Sequence, residues 1–383
     1  MSLPGKKALQ DRVRLVHLVP GEDRSGFFCG LAEDHDRGRF DLSFLVVGEL
    51  EGTFSQRLGD LGVRVHSIPY DGWRHFGRTC LQVANWLSQE RAQILHTHVF
   101  LPSLLGALAS TLAGIPLTVT TRHHSDYHFR KRKSVHLALD RLVGDLADGI
   151  VAVSDHTREY LIDREGFSPA KIRTIHNGVR VERIGAPDPG RIRQVRGELA
   201  LDDGFSILLP GRLHPEKGTD LLLEALKILK EKGIVIRAFL AGEGPFREIF
   251  QADADRLGLS DDVSFLGFRQ DVVTLMRAVD LVVLPSRVEA FGLVALETVA
   301  AGGLLVASSA GGIKEIVTHG KNGILVPPFD AQALAAAIEG LFRDPGRGRA
   351  ILENTGPGIL KTFGFPGMVR QYEEFYDGLL RNR

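Results

Sequence analysis

Cysteine is almost absent from this chain, with only 2 among 383 residues. Cys29 and Cys80 lie far apart in the sequence, which excludes a framework of several disulfides and a four-cysteine zinc site. No apolar run of about 18 residues and no charged-then-apolar leader is present, so no membrane-spanning helix is predicted. These absences predict a reduced, cytoplasmic protein, which leaves peripheral contact with the inner face of the membrane open.

An excess of charge of either sign is also lacking, since 47 Lys and Arg residues balance 47 Asp and Glu residues. A neutral chain has no overall attraction for nucleic acid, and we expect no nucleic-acid partner. The hydrophobic share of 44% and the charged share of 25% are those of an ordinary globular protein. At roughly 100–200 residues per domain, the length predicts two domains.

Short β-branched runs alternate with amphipathic helical patterns along the whole chain, which is typical of βαβ units. The predicted strands are Arg14–Val19, Asp41–Val47, Val63–Ile68, Ile94–Thr97, Leu117–Thr121, Ile150–Val153, Ile172–Ile175, Ser206–Leu209, Ile234–Leu240, Val263–Leu266, Leu281–Leu284, Leu304–Ala307 and Ile324–Val326. We therefore expect an α/β protein with two Rossmann-like, doubly wound parallel sheets facing a central cleft. Ligands of such sheets bind beyond the carboxyl ends of the strands.

The segment Asn177–Arg191 has no periodicity and contains Gly and Pro, so it marks the boundary between the two domains. The predicted domains cover residues 1–178 and 179–362. The remaining segment, residues 363–383, contains Phe365–Leu380, which is apolar on one face. We expect it to form a helix that packs back on the first domain.

The first motif is L-P-G-R-L-H-P-E-K-G, which begins at Leu209, where a predicted strand ends shortly before a predicted helix. Gly211 permits a tight turn, and Arg212 and Lys217 follow it. Two fixed cations in such a turn suit a diphosphate, because Arg binds it through two nitrogens and Lys as a point charge. An ordinary solvated loop is the alternative interpretation.

The second motif is E-A-F-G-L-V-A-L-E, which runs from Glu289 to Glu297 after the predicted strand Leu281–Leu284. Gly292 opens a helix whose first N–H groups and positive dipole end suit a phosphate. Glu289 lies in the loop and Glu297 about one and a half turns into the helix, so the two carboxylates can hold different hydroxyl groups of one extended ligand. The alternative is a Glu297 that faces solvent.

Together these segments resemble the retaining glycosyltransferases of family 4, which have the GT-B fold. The resemblance rests on G-R-L-x-x-x-K-G at Gly211–Gly218 and E-x7-E at Glu289–Glu297, and it covers nearly the whole chain from Val13 onward. Weaker motifs follow in the expected order: Gly242-Glu243-Gly244-Pro245, Phe265-Leu266-Gly267, Gly311-Gly312-Ile313-Lys314-Glu315 and Asn322-Gly323. The resemblance implies that the first domain binds the acceptor and the second binds a nucleotide sugar.

The implied activity is transfer of a sugar from a UDP- or GDP-sugar to a hydroxyl-bearing acceptor, for which saccharides, lipid-linked molecules and small alcohols all stay open. The resemblance further implies retention of anomeric configuration, no metal and no cofactor other than the donor itself. Arg212 and Lys217 would bind the donor diphosphate, Glu297 the ribose and Glu289 the transferred sugar. Uracil and guanine both stay open as the base.

Further donor contacts are implied on the same side of the second domain. Backbone amides beside the phosphates would come from four consecutive residues: Phe291, Gly292, Leu293 and Val294. Phe268 and Arg269, which follow the predicted strand Val263–Leu266, would lie near the base.

Histidines mark the ends of two predicted strands in the first half. His96 and His98 share one side of their strand, so His98 is predicted to face the cleft and bind substrate; a metal pair there has no evident third ligand. In the family resembled, a T-x-H after the next strand supplies the His that contacts the donor sugar, and Thr121-Arg122-His123 matches it. His124 is the alternative, and structural or solvent-facing histidines are a further interpretation.

Four consecutive basic residues lie shortly after these histidines and precede the apolar run Val135–Leu139: Arg130, Lys131, Arg132 and Lys133. Such a segment suits an anionic membrane surface or a phosphate-bearing acceptor. A solvated helix start is the alternative.

The loop after the first strand departs from the family resembled, because Pro20–Gly26 keeps two glycines but lacks the paired G-G-x-E arrangement. Gly21 is its predicted acceptor contact. This departure favours an alternative function, a non-catalytic sugar-nucleotide-binding protein that acts as a subunit or regulator. The intact cations and carboxylates of the two motifs favour the enzyme. No G-x-G-x-x-G or G-x4-G-K-[ST] follows the first strand of either half, which excludes a nicotinamide dehydrogenase and a P-loop nucleotidase.

Overall fold

The computed structural model describes residues 12–21, 26–124, 134–202 and 204–381. The chain divides into two compact units. Unit 1 comprises Met1–His176 together with Phe365–Arg383, and unit 2 comprises Asn177–Gly364. Each unit is built on one parallel sheet, with seven strands in unit 1 and six in unit 2.

The sheet of unit 1 has the strand order β3-β2-β1-β4-β5-β6-β7. Its strands are β1 (Val13–Pro20), β2 (Phe40–Val47), β3 (Arg64–Ile68), β4 (Ile94–His98), β5 (Leu117–Arg122), β6 (Gly149–Ala152) and β7 (Ile172–Thr174). The α-helices described in this unit are Phe27–Asp34, Gly52–Asp60, Phe76–Gln89, Phe100–Ala113, Ser134–Leu146, Asp155–Asp163 and Phe365–Arg381. Helices cover parallel sheets on both faces, which is why the strands read as nearly continuous hydrophobic runs.

The sheet of unit 2 has the strand order β10-β9-β8-β11-β12-β13. Its strands are β8 (Phe205–Pro210), β9 (Ile236–Ala241), β10 (Val263–Gly267), β11 (Leu281–Leu284), β12 (Leu305–Ser308) and β13 (Ile324–Val326). The α-helices are Val181–Ile184, Pro189–Glu198, Thr219–Glu231, Arg247–Arg256, Val272–Ala278, Leu293–Ala301, Ile313–Ile316, Ala331–Arg343, Pro345–Leu352 and Leu360–Phe363. The prediction of two doubly wound parallel sheets is confirmed, and each end of the thirteen predicted strands lies within two residues of the observed end.

Each sheet reverses its strand order at one point. β1 pairs with β2 on one side and β4 on the other, and β8 pairs with β9 and β11 in the same way. The connections that leave the two sides run in opposite directions, so a crevice opens beyond the carboxyl ends of β1 and β4, and another beyond β8 and β11. The loops that follow these four strands are therefore the places where a ligand is expected.

The helix Phe365–Arg381 belongs to the core of unit 1. Its buried apolar side chains recur at the spacing of one face of an amphipathic helix: Phe365, Met368, Val369, Tyr372 and Tyr376. Full burial of an apolar side chain of this size stabilises a fold by about 1.5–3 kcal/mol. The helix therefore contributes to the stability of unit 1. Among the described residues, no helix is both long enough and apolar enough to cross a membrane.

Candidate functional site

Lys217 and Glu289 are in direct contact in unit 2. Lys217 follows β8 in a short 3-10 helix, and Glu289 follows β11. The ammonium of Lys217 forms an ion pair with Oε1 of Glu289, and Oγ of Ser286 donates to the same oxygen at 3.0 Å. Both charged side chains keep about one fifth of their surface exposed, 22% for Lys217 and 17% for Glu289. The two motifs recognised in the sequence thus meet at the reversal point of the second sheet.

Arg212 presents its charge to solvent beside this pair of motifs. Its side chain is 70% exposed, and its nearest carboxylate oxygen, Oε2 of Glu216, is 3.9 Å from Nη2. Nδ1 of His214 lies 3.1 Å from the other oxygen of Glu216. An exposed ion pair at such a distance is weak, so the guanidinium of Arg212 can exchange Glu216 for a stronger anion.

Arg287 ties the two motif loops together, and sequence reasoning missed it. Its backbone N–H donates to the carbonyl of Glu216 at 2.7 Å. Its guanidinium binds both carboxylate oxygens of Asp220, with Nη1 at 2.7 Å from Oδ1. This bidentate pair fixes the loop of Lys217 against the loop of Glu289. The only signal in the sequence is the position of Arg287 between Ser286 and Glu289.

Glu297 lies in the middle of the helix Leu293–Ala301 and is 5% exposed. The alternative of a solvent-facing Glu297 is therefore wrong. Nε of Arg183 binds its Oε1 at 2.7 Å. Burial raises the pKa of Glu297, and Arg183 opposes this rise. Arg183 belongs to the segment that the sequence marked only as a domain boundary, and nothing in the local pattern indicated this role.

The helix Leu293–Ala301 begins at Gly292, which has a φ of 104°. A side chain at Gly292 would also place its Cβ 2.8 Å from Cγ1 of Ile313, so both conformation and space require glycine. The side chain of Phe291 is 2% exposed and packs edge-on against Phe363 at 5.7 Å between ring centroids. Leu293 and Val294 are half-buried. These residues can offer backbone N–H groups to an anion at the helix start.

Phe268 and Arg269, predicted near a base, differ in their surroundings. The ring of Phe268 is 73% exposed and has a free face for stacking. The guanidinium of Arg269 is held by Asp271 at 2.8 Å and by Glu198 at 2.6 Å. These hydrogen bonds lower the pKa of both carboxyl groups. Arg269 is thus engaged within its own loop and with the helix Pro189–Glu198.

His123 follows β5 in unit 1 and is half-buried, whereas the neighbouring His124 is exposed. Nε2 of His123 lies 3.2 Å from Nδ1 of His98, and Nε2 of His98 lies 3.0 Å from Nδ1 of His17. His98 is fully buried. It was predicted to contact substrate, but its two ring nitrogens are instead taken by two other histidines, so it lies behind His123.

The row of histidines continues to the C-terminal helix. Nε2 of His17 lies 3.3 Å from Nε2 of His35, and Nδ1 of His35 lies 3.0 Å from Oε1 of Glu373. Sequence reasoning missed His17, His35 and Glu373. A signal was present in β1, where His17 interrupts an otherwise apolar run, but the partner Glu373 is 338 residues from His35.

His96 lies next to this row, with its ring stacked on His98 at 4.3 Å between centroids. Its Nδ1 lies 2.5 Å from the hydroxyl of Tyr376, and its Nε2 lies 2.6 Å from Oγ1 of Thr121. Three ring nitrogens, one each from His17, His96 and His98, lie within 4.8 Å of one another, a set that could hold a metal ion. His17 is therefore a third candidate ligand, which the sequence did not show.

Burial keeps these histidines uncharged. It lowers the pKa of His17, His96 and His98 well below the usual value, and neighbouring histidines lower each pKa further. Burial, with a smaller contribution from His124, lowers the pKa of His123 to about 3. Each of these four imidazoles therefore has one N–H and one lone pair at neutral pH.

The end of β5 is anchored by a buried group of three charges. The guanidinium of Arg122, the residue before His123, binds the carboxylates of Asp140 and Glu165. All three side chains are at most 10% exposed. Burial raises the pKa of Glu165, and Arg122 opposes this rise. These ion pairs hold the backbone next to His123 against the helix Ser134–Leu146, which contains Asp140, and against the segment after the helix Asp155–Asp163, which contains Glu165.

Gly21 lies directly after β1 and approaches the loop after β2. A Cβ added at Gly21 would lie 1.6 Å from the carbonyl oxygen of Glu49, and the N–H of Glu51 donates to the carbonyl of Gly21 at 3.0 Å. No other residue type fits this position, so a structural reason for glycine exists beside the predicted acceptor contact. The predicted basic segment, Arg130, Lys131, Arg132 and Lys133, lies outside the described residues.

Comparison with known proteins gives two family matches that together cover most of the chain. The model of glycosyl transferases group 1 matches residues 192–356, and the model of Glycosyltransferase Family 4 matches residues 32–183. A D-inositol 3-phosphate glycosyltransferase of Kribbella flavida is 30% identical over 332 residues, which cover 76% of this chain and 77% of that protein. Its counterpart in Mycobacterium ulcerans is 32% identical over 310 residues, and there the match spans 74% of this chain but only 65% of the relative's length.

Solved structures with the same fold include Anabaena Alr3699/HepE in complex with UDP-glucose. The TM-score is 0.83 at 24% identity, over 96% of this chain and 100% of that one. Sucrose-phosphate synthase from Thermosynechococcus elongatus gives a TM-score of 0.79 at 20% identity, over 97% of this chain and 100% of that one. At this level of identity, the likeness establishes the fold.

Proposed function

The chain belongs to glycosyltransferase family 4 and has the GT-B fold, and from this membership we propose that it transfers a sugar from a nucleotide diphosphate sugar to a hydroxyl group. The reaction breaks the bond between the anomeric carbon and the diphosphate oxygen and forms a bond from that carbon to the acceptor oxygen. The acceptor proton passes to the departing diphosphate, so no side-chain nucleophile is required. We propose that the configuration of the sugar is retained.

The contact between Lys217 and Glu289 is the observation that carries this proposal. It brings together a largely buried cation, which is 22% exposed, and a carboxylate at the reversal point of a doubly wound sheet, with Arg212 exposed on the same loop. A diphosphate would compete with Glu289 for Lys217, and the freed carboxylate would then accept hydrogen bonds from sugar hydroxyls. Arg212 and Lys217 would neutralise the charge that develops on the diphosphate as the bond to the sugar breaks.

Other residues of unit 2 complete the proposed donor contacts. Glu297 would accept hydrogen bonds from the ribose hydroxyls, and Arg183 keeps this carboxylate fixed. The N–H groups that follow Gly292 would bind a phosphate at the start of the helix. The cations and these N–H groups supply the positive charge that a metal would otherwise supply, and we propose that transfer needs no metal. In unit 1, His123 would contact a hydroxyl of the transferred sugar.

The names of similar proteins indicate which substrates to test first. The HepE protein was solved with UDP and with UDP-glucose, which favours a uridine donor over GDP. The Kribbella flavida and Mycobacterium ulcerans relatives are named for D-inositol 3-phosphate, which makes a phosphorylated polyol the first acceptor to test.

The proposed function is tested by incubating the protein with UDP-glucose or GDP-mannose and D-inositol 3-phosphate in the presence of EDTA. Proton NMR follows both the free nucleotide and the anomeric proton of the product. We expect one nucleotide to be released for each glycoside formed, and the α-configuration of the donor to be kept. A β-linked product would contradict retention, and activity that requires added Mg²⁺ would contradict metal independence. Donors that stay intact with every acceptor of a wider panel would contradict the transferase function.

A further inference from the structure

A continuous row of hydrogen-bonding groups joins the C-terminal helix to His123. It runs from Glu373 through His35, His17 and His98, with distances of 3.0, 3.3, 3.0 and 3.2 Å between the facing atoms. His17, His98 and His35 are at most 3% exposed. Water therefore does not compete for the ring nitrogens within the row, and each one must bond to its neighbour.

The direction of the hydrogen bonds is set at Glu373. Burial by itself would raise the pKa of this carboxyl group, but hydrogen bonds from His35 and from the N–H of Asp36 lower it below its usual value. The N–H of Asp36 donates to Oε1 at 2.8 Å, and Nη1 of Arg39 is 3.9 Å from Oε2. Glu373 is thus a carboxylate, which only accepts hydrogen bonds. Nδ1 of His35 must therefore carry the hydrogen.

When all four imidazoles of the row are neutral, this first assignment determines all the others, because a neutral imidazole has one N–H and one lone pair. An imidazolium at His35 would donate from both nitrogens and reverse the row. With its hydrogen on Nδ1, His35 accepts at Nε2, so Nε2 of His17 donates. Nδ1 of His17 then accepts from Nε2 of His98. Nδ1 of His98 in turn accepts from Nε2 of His123. At the far end of the row, Nδ1 of His123 is left with a lone pair and no hydrogen.

We propose that Glu373 is a positioning residue that holds His123 in the tautomer with its hydrogen on Nε2. In this tautomer, Nδ1 of His123 accepts a hydrogen bond and cannot donate one, so it selects a hydroxyl donor as its partner. Only the identity of that hydroxyl, on the transferred sugar, rests on the proposed function. The tautomer itself is a property of the free protein.

A metal ion on His17, His96 and His98 is the competing arrangement. A metal would need the ring lone pairs that face it, whereas the 3.0 Å between Nδ1 of His17 and Nε2 of His98 is the length of a hydrogen bond. Both ring nitrogens of His96 are hydrogen-bonded, one to the hydroxyl of Tyr376 and the other to that of Thr121. The contacts therefore favour a row of hydrogen bonds over a metal centre.

The test is a long-range proton–nitrogen NMR spectrum of the full chain labelled with [15N]histidine, at neutral pH and after dialysis against EDTA. The signals of His123 are assigned by their loss in His123→Asn. In the wild type, we expect Nδ1 of His123 in the shift range of an unprotonated nitrogen and Nε2 in that of an N–H. The opposite result, with Nδ1 in the range of an N–H and Nε2 in that of an unprotonated nitrogen, would overturn the proposal. The spectrum of the wild type is sufficient for this test. A zinc ion that is retained in equimolar amount through dialysis, and that shifts His17, His96 and His98, would overturn it as well.

Glu373→Gln tests the role of the carboxylate. An amide both donates and accepts, so the direction is no longer set, and we expect the two nitrogens of His123 to move toward each other in shift. Glu374→Gln is the matched control, because Glu374 is the next residue of the same helix and is exposed; it should leave the shifts unchanged. Unchanged shifts of His123 in a folded Glu373→Gln protein would overturn the proposal. None of these readouts requires nucleotide binding. A failure of the proposed transferase function can therefore be told apart from a failure of this proposal.

Discussion

Lys217 and Glu289 form an ion pair across 72 residues of sequence, and each was assigned a different part of the donor by its own motif. The pair lies where the loops after β8 and β11 meet, and the bidentate contact between Arg287 and Asp220 holds these loops together. Without ligand, the cation that we propose for the diphosphate is therefore neutralised by the carboxylate that we propose for the transferred sugar. Substitution of Lys217 should therefore lower the affinity for UDP, whereas substitution of Glu289 should raise it.

Glu289→Gln is expected to strengthen binding of UDP while it weakens sugar transfer. The neutral amide no longer competes with the diphosphate for Lys217, so affinity for UDP should rise by about fivefold, or about 1 kcal/mol. The rate should fall, because the contact with the transferred sugar is altered. Calorimetry and a transfer assay measure the two effects separately. A loss of UDP affinity in this variant would contradict the proposed competition.

Glu297→Gln is expected to become more stable relative to the wild type as the pH rises. Burial raises the pKa of Glu297 in the folded protein, so the folded state holds its proton more tightly than the unfolded state. Folding is therefore penalised as the pH rises from the unfolded pKa toward the folded one. Urea unfolding at about pH 4 and about pH 7 gives the difference in free energy of unfolding. Glu353→Gln, at an exposed site, should show no such trend; a trend of opposite sign for Glu297→Gln would refute this account.

Arg122→Met is expected to lower the free energy of unfolding by about 3–5 kcal/mol, because it leaves Asp140 and Glu165 buried without the guanidinium. The matched control is Arg64→Met, which removes an arginine that also binds two carboxylates but is 52% exposed. Its loss should be under about 1 kcal/mol. Urea unfolding of both variants decides the point. Equal losses of unfolding free energy in the two variants would show that burial does not make the ion pairs of Arg122 more important for stability than exposed ones.

Acid is expected to destabilise the protein as the pH falls below the pKa of a free histidine. Burial lowers the pKa of His123 from 6.5 to about 3, and those of His17, His96 and His98 well below 6.5. The unfolded chain then binds protons that the folded chain does not, which removes about 1.4 kcal/mol per pH unit for each such histidine. Unfolding measured between about pH 7 and pH 5 gives the slope. The slope should be smaller in His17→Gln, and a flat profile in the wild type would rule out the buried neutral histidines.

The strands and the two motif loops could be predicted because their signals are local. The run Leu281–Leu284 is continuously apolar, and Ile94–His98 combines apolar and β-branched residues with two histidines. A breaker or a helix start follows each one. The carboxyl ends of parallel strands share one edge of the sheet. The predicted strands therefore also located the loops that contain Arg212 and Glu289. The burial of Glu297 follows from its apolar helix neighbours, although the sequence left its direction open.

The residues that sequence reasoning missed depend on contacts between distant segments. Glu373 meets His35 only because the C-terminal helix packs on the core of unit 1. Arg183 meets Glu297 from a segment without periodicity. The full burial of His98 behind His123 also could not be read from alternation, which gives the side of a strand that a residue faces but not what lies above it.

Binding of a nucleotide diphosphate at Arg212 and Lys217 is the central claim, and isothermal titration calorimetry of UDP and GDP in EDTA tests it most directly. The wild type should bind one of the two nucleotides. Arg212→Ala and Lys217→Ala should each lose at least about tenfold in affinity, since each removes a charged hydrogen-bond donor to phosphate. Lys227→Ala is the control, because Lys227 lies in the helix that follows the Lys217 loop and its side chain is 41% exposed. If the wild type binds neither nucleotide, or if all three variants bind as tightly as the wild type, the assignment of the donor site is wrong.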